Sequence, residues 1–136
     1  MRASATSYGE TIWSELFPGS THSAPCLLPA VAAVESAFDL APRPDRCQEA
    51  FDLAAARRRR TLWRLDGGFG SGENLAWLIE MGYEVYGKAM SNKVTGALKK
   101  RVIAQMAWTR VGDNAEMIAW PKLKLDFCPY PLDISL

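Results

Sequence analysis

Histidine occurs once in the 136 residues and cysteine three times, at 26, 47 and 128, with no C-x-x-C spacing. That scarcity leaves a zinc site or a disulfide framework without a ligand set, and the odd thiol count points to a reducing, cytoplasmic setting. Long apolar runs are missing as well. None approaches the roughly 18 residues needed to cross a bilayer, and the N-terminus lacks the apolar region of a signal peptide. The expectation is a soluble cytoplasmic protein with no membrane partner. An excess of charge of one sign is also absent: a formal net charge of +1 exerts no global pull on nucleic acid, so such contact has to come from local basic clusters. No internal repeat appears, and no composition shift marks a domain boundary. What is present, 49% hydrophobic residues over a chain of this length, fits one packed domain.

The most informative stretch is Arg64-Leu65-Asp66-Gly67-Gly68-Phe69-Gly70-Ser71-Gly72-Glu73. Thr61 to Leu65 has the β-branched and aromatic content of a buried strand. The glycines that follow supply backbone freedom for a sharp turn and leave Asp66 at the strand's carboxyl end. Ser71 is the N-cap candidate of a helix carrying Leu75, Leu78 and Ile79, and Gly82 stops that helix. Tyr83 to Lys88 reads as a second strand. The unit is β-α-β, in which ligands gather outside the carboxyl ends of the parallel strands, so Asp66 is the first candidate for catalysis.

Around this unit the chain divides into a start, a main domain and a tail. Residues 1 to 9 are small and polar without a period and are expected to be disordered. Glu10 to Phe17 shows partial alternation and predicts a strand meeting the turn dipeptide Pro18-Gly19. After Ser23, Leu27, Val31, Val34 and Phe38 recur at helical spacing, which predicts a helix to about residue 39. Pro42 and Pro44 break the chain, residues 46 to 56 predict a short helix, and Arg57-Arg58-Arg59-Arg60 lead into the central strand. Ser91 or Asn92 caps a basic amphipathic helix with Val94, Ala97, Leu98, Val102 and Met106 inward and Lys93, Lys99, Lys100 and Arg101 outward. Gly112-Asp113-Asn114 is a turn signal, and 115 to 120 a strand. The main domain covers residues 10 to 120. From 121 to 136, Pro129 and Pro131 interrupt a short apolar segment that reads as an irregular tail.

Two chemistries compete for the Asp66 turn. As Asp-x-Gly-x-Gly-x-Gly, residues Asp66, Gly68, Gly70 and Gly72 match the glycine-rich loop of S-adenosylmethionine-dependent methyltransferases. In that family the next strand ends in an acidic residue holding the ribose hydroxyls; the corresponding position here falls near Lys88, a cation that cannot accept those hydrogen bonds. The dinucleotide pattern G-x-G-x-x-G fails because Glu73 takes the third glycine's place. In the second chemistry Asp66 is a metal ligand, holding a divalent cation that bridges to a phosphate oxygen. A turn-forming aspartate bonded to its own backbone is the plainer account of the same residue. Arg57, Arg58, Arg59, Arg60, Lys88 and Lys93 are candidate contacts to DNA phosphates, although a charge run is ordinarily a solvated face. His22 has no cysteine or aspartate at ligand spacing and reads as a turn or substrate-side hydrogen-bonding group.

Several further segments carry a resemblance. Gly9-Glu10-Thr11-Ile12-Trp13, Phe17-Pro18-Gly19-Ser20-Thr21-His22-Ser23, Leu62 to Ser71, and Leu78 to Ser91 together resemble the middle of a DDE-type transposase of bacterial insertion sequences. The resemblance implies an α/β fold, a partial ribonuclease-H-like mixed sheet flanked by helices. It implies Mg²⁺ or Mn²⁺ as cofactor and transposon-end DNA as partner. The implied reaction is DNA cleavage and strand transfer, by attack of water or a 3′ hydroxyl on a phosphodiester. Asp66 matches the family's second catalytic carboxylate, in an Asp-Gly-Gly-Phe turn at a strand end, and is thereby implied as both catalytic and metal-binding. The family's first aspartate precedes the region matched by Glu10 to Phe17, and residues 1 to 9 contain none. Its final glutamate lies on a helix downstream, whereas beyond residue 120 only Asp126 and Asp133 remain. The expectation is an internal transposase fragment, inactive alone, with a non-catalytic DNA-binding remnant or a methyltransferase-like protein as the alternatives. The oligomeric state stays open.

Overall fold

The computed structural model describes residues 2–5, 9–18, 20–40, 48–88, 92–103 and 108–135. It is an α/β chain. In order, the elements are β1 (Arg2–Ala5), β2 (Glu10–Ser14), a 3-10 turn (Ala24–Cys26), α1 (Leu27–Phe38), α2 (Gln48–Arg58), β3 (Leu62–Leu65), α3 (Gly72–Glu80), β4 (Glu84–Gly87), α4 (Asn92–Ile103), β5 (Thr109–Gly112), β6 (Ala115–Met117), β7 (Ala119–Leu125) and β8 (Cys128–Ser135).

The local causes are visible at the helix ends. The first helix buries Leu27, Ala30, Val31 and Val34, an apolar stripe at helical spacing, and ends where Asp39 turns left-handed at φ 55°. Leu40 N then donates to Glu35 O at 2.9 Å. Ser71 caps α3, its hydroxyl accepting from Asn74 N at 3.2 Å. At the other end Gly82, at φ 85°, sends its N–H to Ile79 O, and Tyr83 N reaches Leu78 O, the Schellman arrangement that glycine favours.

Among the described residues the strands pair as four two-stranded ladders: β1 with β2, β5 with β6 and β7 with β8 antiparallel, and β3 with β4 parallel. The core lies between α1, α3 and the β3–β4 pair. Leu27, Val31, Val34, Leu40, Leu65, Leu78 and Tyr83 form it, with Trp63, Leu75 and Val85 packed against them. Burial of these side chains, each contributing about 1.5–3 kcal/mol, is what holds the β-α-β unit to α1.

Both chain ends differ from the sequence expectation. Arg2–Ala5 is not a disordered start but a strand, paired antiparallel with Ser14 back to Glu10, with a shift of register between Ala3 and Ser4. Within the segment 121 to 136 expected as an irregular tail, the described residues 121 to 135 are ordered strand and turn. Residues 121 to 135 complete the β7–β8 hairpin, in which Cys128 is buried and Tyr130, Leu132 and Ile134 are half-buried, while Pro129, Pro131 and Asp133 alternate on the outer side. The prolines sit on a strand with one partner, where a missing N–H costs no ladder bond on the open side. The predicted 46–56 helix extends to Arg58 and takes in the first two arginines. The strand expected over 115 to 120 is split between β6 and β7. Pro42, Pro44, Cys47, Ser91 and Met106 lie outside the described residues. No helix among the described residues is long and apolar enough to cross a membrane.

Candidate functional site

The parallel register pairs Leu62 with Glu84 and Leu65 with Gly87. Lys88 N extends the ladder by donating to Leu65 O at 3.1 Å. Asp66 and Lys88 therefore leave neighbouring strands at the same carboxyl-end lip, and both are exposed. Asp66 Oδ1 accepts from Gly67 N at 2.7 Å, and Asp66 O accepts from Phe69 N at 2.9 Å, closing a tight turn. The carboxylate is thus at the lip, as a metal ligand requires, with one oxygen already bonded to its own turn.

The glycines of this turn face the chain itself. A Cβ on Gly68 would stand 2.9 Å from Ser23 Oγ, one on Gly70 would strike the Lys88 carbonyl, and one on Gly72 would strike the Phe127 carbonyl at the tip of the β7–β8 hairpin. In a nucleotide-binding loop the bare glycine backbone is the surface the ligand approaches. Here Ser23, Lys88 and Phe127 take that place. Asn74, which sequence reasoning did not single out, joins the same assembly: its Nδ2 donates to Phe69 O at 3.0 Å and Ala24 O at 3.2 Å, tying the turn to the 3-10 segment before α1. The only signal was a polar residue three positions after the Ser71 cap. His22 is exposed, and its carbonyl accepts from Cys26 Sγ at 3.4 Å.

The candidate cations do not converge on the lip. Arg60 precedes β3 and Asp66 follows it, so the arginine run and the carboxylate lie at opposite ends of a strand whose four residues rise about 13 Å. The Arg58 expectation needs correction. Its side chain is 7% exposed and donates to Leu40 O at 2.9 Å, which makes it an interior group joining α2 to the end of α1 rather than a DNA contact. Arg57 reaches Asp39 Oδ2 at 3.4 Å on the surface, while Arg59 and Arg60 are exposed. Lys93 belongs to α4, and its side chain lies outside the described part. Of the predicted cations with described side chains, Lys88 alone shares the lip with Asp66.

Nor does the donor set among the described residues fit the cofactor implied by the resemblance. Among the described residues no group of three or more His, Cys, Asp or Glu side chains is placed to hold a metal ion. Mg²⁺ demands near-octahedral oxygen ligation and gives up water reluctantly, so one carboxylate with one oxygen engaged is not a two-ion site. Cys26 and Cys128 are buried free thiols.

A second polar cluster lies inside the protein. Tyr83 Oη donates to buried Glu35 Oε1 at 2.7 Å, and the Tyr83 ring meets Trp63 edge-on at 5.9 Å. Burial first, and then the Glu35 carboxylate, push the Tyr83 phenol far above its ordinary pKa, so it stays a neutral donor. Arg58 Nε and Trp63 Nε1 are buried without a described partner. This cluster fastens α1, α2 and the residue before β4 together, at the end of the strand pair opposite the lip. In comparisons with known proteins, no family model, no curated protein and no solved structure matches the chain.

Proposed function

We propose that this chain derives from the catalytic domain of a DDE-type transposase, with β3, α3 and β4 forming part of a ribonuclease-H-like sheet and Asp66 standing for that family's second carboxylate. One observation carries the reading: Asp66 is exposed one residue past β3, at the carboxyl end of a parallel pair, on a turn held by the close contacts of Gly68 and Gly70. That is the position from which a carboxylate reaches a cation bound to a phosphodiester. Lys88 beside it offers a point charge to a DNA phosphate. Because the donor set among the described residues is incomplete, these residues carry no metal-dependent step by themselves, and the proposal is that the chain alone does not cut DNA.

The test is the nucleotide sequence on either side of the gene. Terminal inverted repeats, or codons for the family's first aspartate and final glutamate in another reading frame, are expected. Flanks with neither feature overturn the transposase origin.

A further inference from the structure

Among the described residues the β3–β4 pair is covered on one face only. Trp63 and Leu65 turn into the core and Val85 packs against it, whereas Leu62, Arg64, Glu84 and Tyr86 face an open groove flanked by Ile79 of α3 and by Tyr130 to Asp133 of β8. Leu62 is 52% and Tyr86 64% exposed. Parallel strands ordinarily bury both faces, so two large apolar groups on a bare parallel pair mark a surface awaiting a cover.

The register decides what kind of cover fits. Leu62 stands opposite Glu84, and Arg64 opposite Tyr86. The four side chains occupy the corners of a rectangle, with the apolar groups on one diagonal and the unlike charges on the other. We propose that this face is the interface of a homodimer, packed on the same face of a second copy about a two-fold axis along the Leu62–Tyr86 diagonal. That axis lays Leu62 on the partner's Leu62 and Tyr86 on the partner's Tyr86. It exchanges the other two corners, so each Arg64 meets the partner's Glu84.

Strand geometry permits the arrangement. With strands about 4.8 Å apart and a rise of about 3.3 Å per residue, the diagonal lies about 35° from the strands, and the two sheets cross at about 70°. This approaches the orthogonal class of sheet packing, and a two-fold interface of this kind closes on itself without extending into a filament. An unrelated partner would have to supply its own matching diagonal of acid and base. A second copy carries one by construction. The inference uses no chemistry at Asp66 and stands or falls apart from the transposase reading.

Sedimentation velocity over a concentration series tests it, on the wild-type chain, R64E, E84R and an equimolar mixture of the two variants. All the altered side chains are exposed, and circular dichroism verifies that each variant is folded. The wild type is expected to dimerise, and each charge reversal to raise the dissociation constant about tenfold or more by setting like charges together. The mixture is expected to recover a dimer of wild-type strength, because every contact between an R64E copy and an E84R copy is again between unlike charges. A wild-type chain that stays monomeric overturns the proposal, as does a dimer unaffected by either reversal or a mixture no stronger than the single variants.

Discussion

The Tyr83 hydroxyl donates to Glu35 Oε1 at 2.7 Å across 48 positions of sequence, and both side chains are buried. The bond joins the last turn of α1 to the residue just before β4, and so fixes how the β-α-β unit sits on its helix. Tyr83→Phe keeps the ring and its edge contact with Trp63 but leaves the carboxylate short of a donor. A loss of about 1–3 kcal/mol is expected in urea denaturation. A change of a few tenths would mean that water takes over the bond without cost.

The same pair sets a pH dependence. The folded protein holds the Tyr83 proton more tightly than the unfolded chain does, so its contribution is fully present below the unfolded tyrosine value of about 10. It is lost progressively as pH rises beyond that value toward the raised folded one. Stability of the wild type is therefore expected to fall in alkali more steeply than that of Tyr83→Phe, as read by thermal melts on either side of that value.

At the turn, Gly70→Ala and Gly72→Ala each push a methyl group into a backbone carbonyl, of Lys88 and of Phe127, neither of which can swing aside like a side chain. Each is expected to cost about 1–3 kcal/mol, with Gly72→Ala also loosening the β7–β8 hairpin from α3. Gly96→Ala is the control. Gly96 lies in α4 with nothing within 4 Å of its added Cβ, so alanine there is expected to stabilise by up to about 1 kcal/mol through helix propensity. Chemical denaturation of the three variants separates close packing from backbone freedom.

How legible these features were depended on whether their cause was local. The β3–turn–α3–β4 unit could be read because its signals are contiguous: an apolar run, Asp66 with its glycines, the Ser71 cap and the Gly82 stop. Asp66 bonding its own backbone at Gly67 was legible for the same reason. The β7–β8 hairpin was not, because Pro129 and Pro131 argue against a strand until the alternation of burial along β8 shows them on its outer side. The inward turn of Arg58 was equally hidden. Four consecutive arginines are alike in sequence, and only the return of the chain at Leu40 decides which one is buried.

At the lip, the expected outcome of a plasmid-nicking assay in Mg²⁺ or Mn²⁺ is no cleavage by the purified chain above that of Asp66→Ala. Nicking that disappears with Asp66→Ala would mean that a complete donor set assembles after all. For duplex binding at low salt, Lys88→Ala is expected to weaken affinity and reduce the salt dependence by about one unit of slope. Arg59→Ala and Arg60→Ala, at the far end of β3, are expected to change that affinity and slope less than Lys88→Ala does. A gel-shift titration that is flat for the wild type would remove the DNA contact.

The arginine run offers the sharpest contrast, because two adjacent residues of one type are held in opposite surroundings. Arg57 reaches Asp39 at 3.4 Å with both side chains about 40% exposed, so solvent screens the pair and Arg57→Ala is expected to stay within about 0.5 kcal/mol of wild type. Arg58 is buried, bonds the Leu40 carbonyl and leaves its Nε without a described partner. Arg58→Ala removes both the packing of the stem and the donor to Leu40, for an expected loss of about 2–4 kcal/mol. Arg58→Met keeps the stem while removing a buried charge that is only partly hydrogen-bonded, so it is expected to cost distinctly less than alanine. Urea midpoints ranked Arg57→Ala, then Arg58→Met, then Arg58→Ala from most to least stable would establish Arg58 as an internal brace between α1 and α2. Equal midpoints for Arg57→Ala and Arg58→Ala would return Arg58 to the surface.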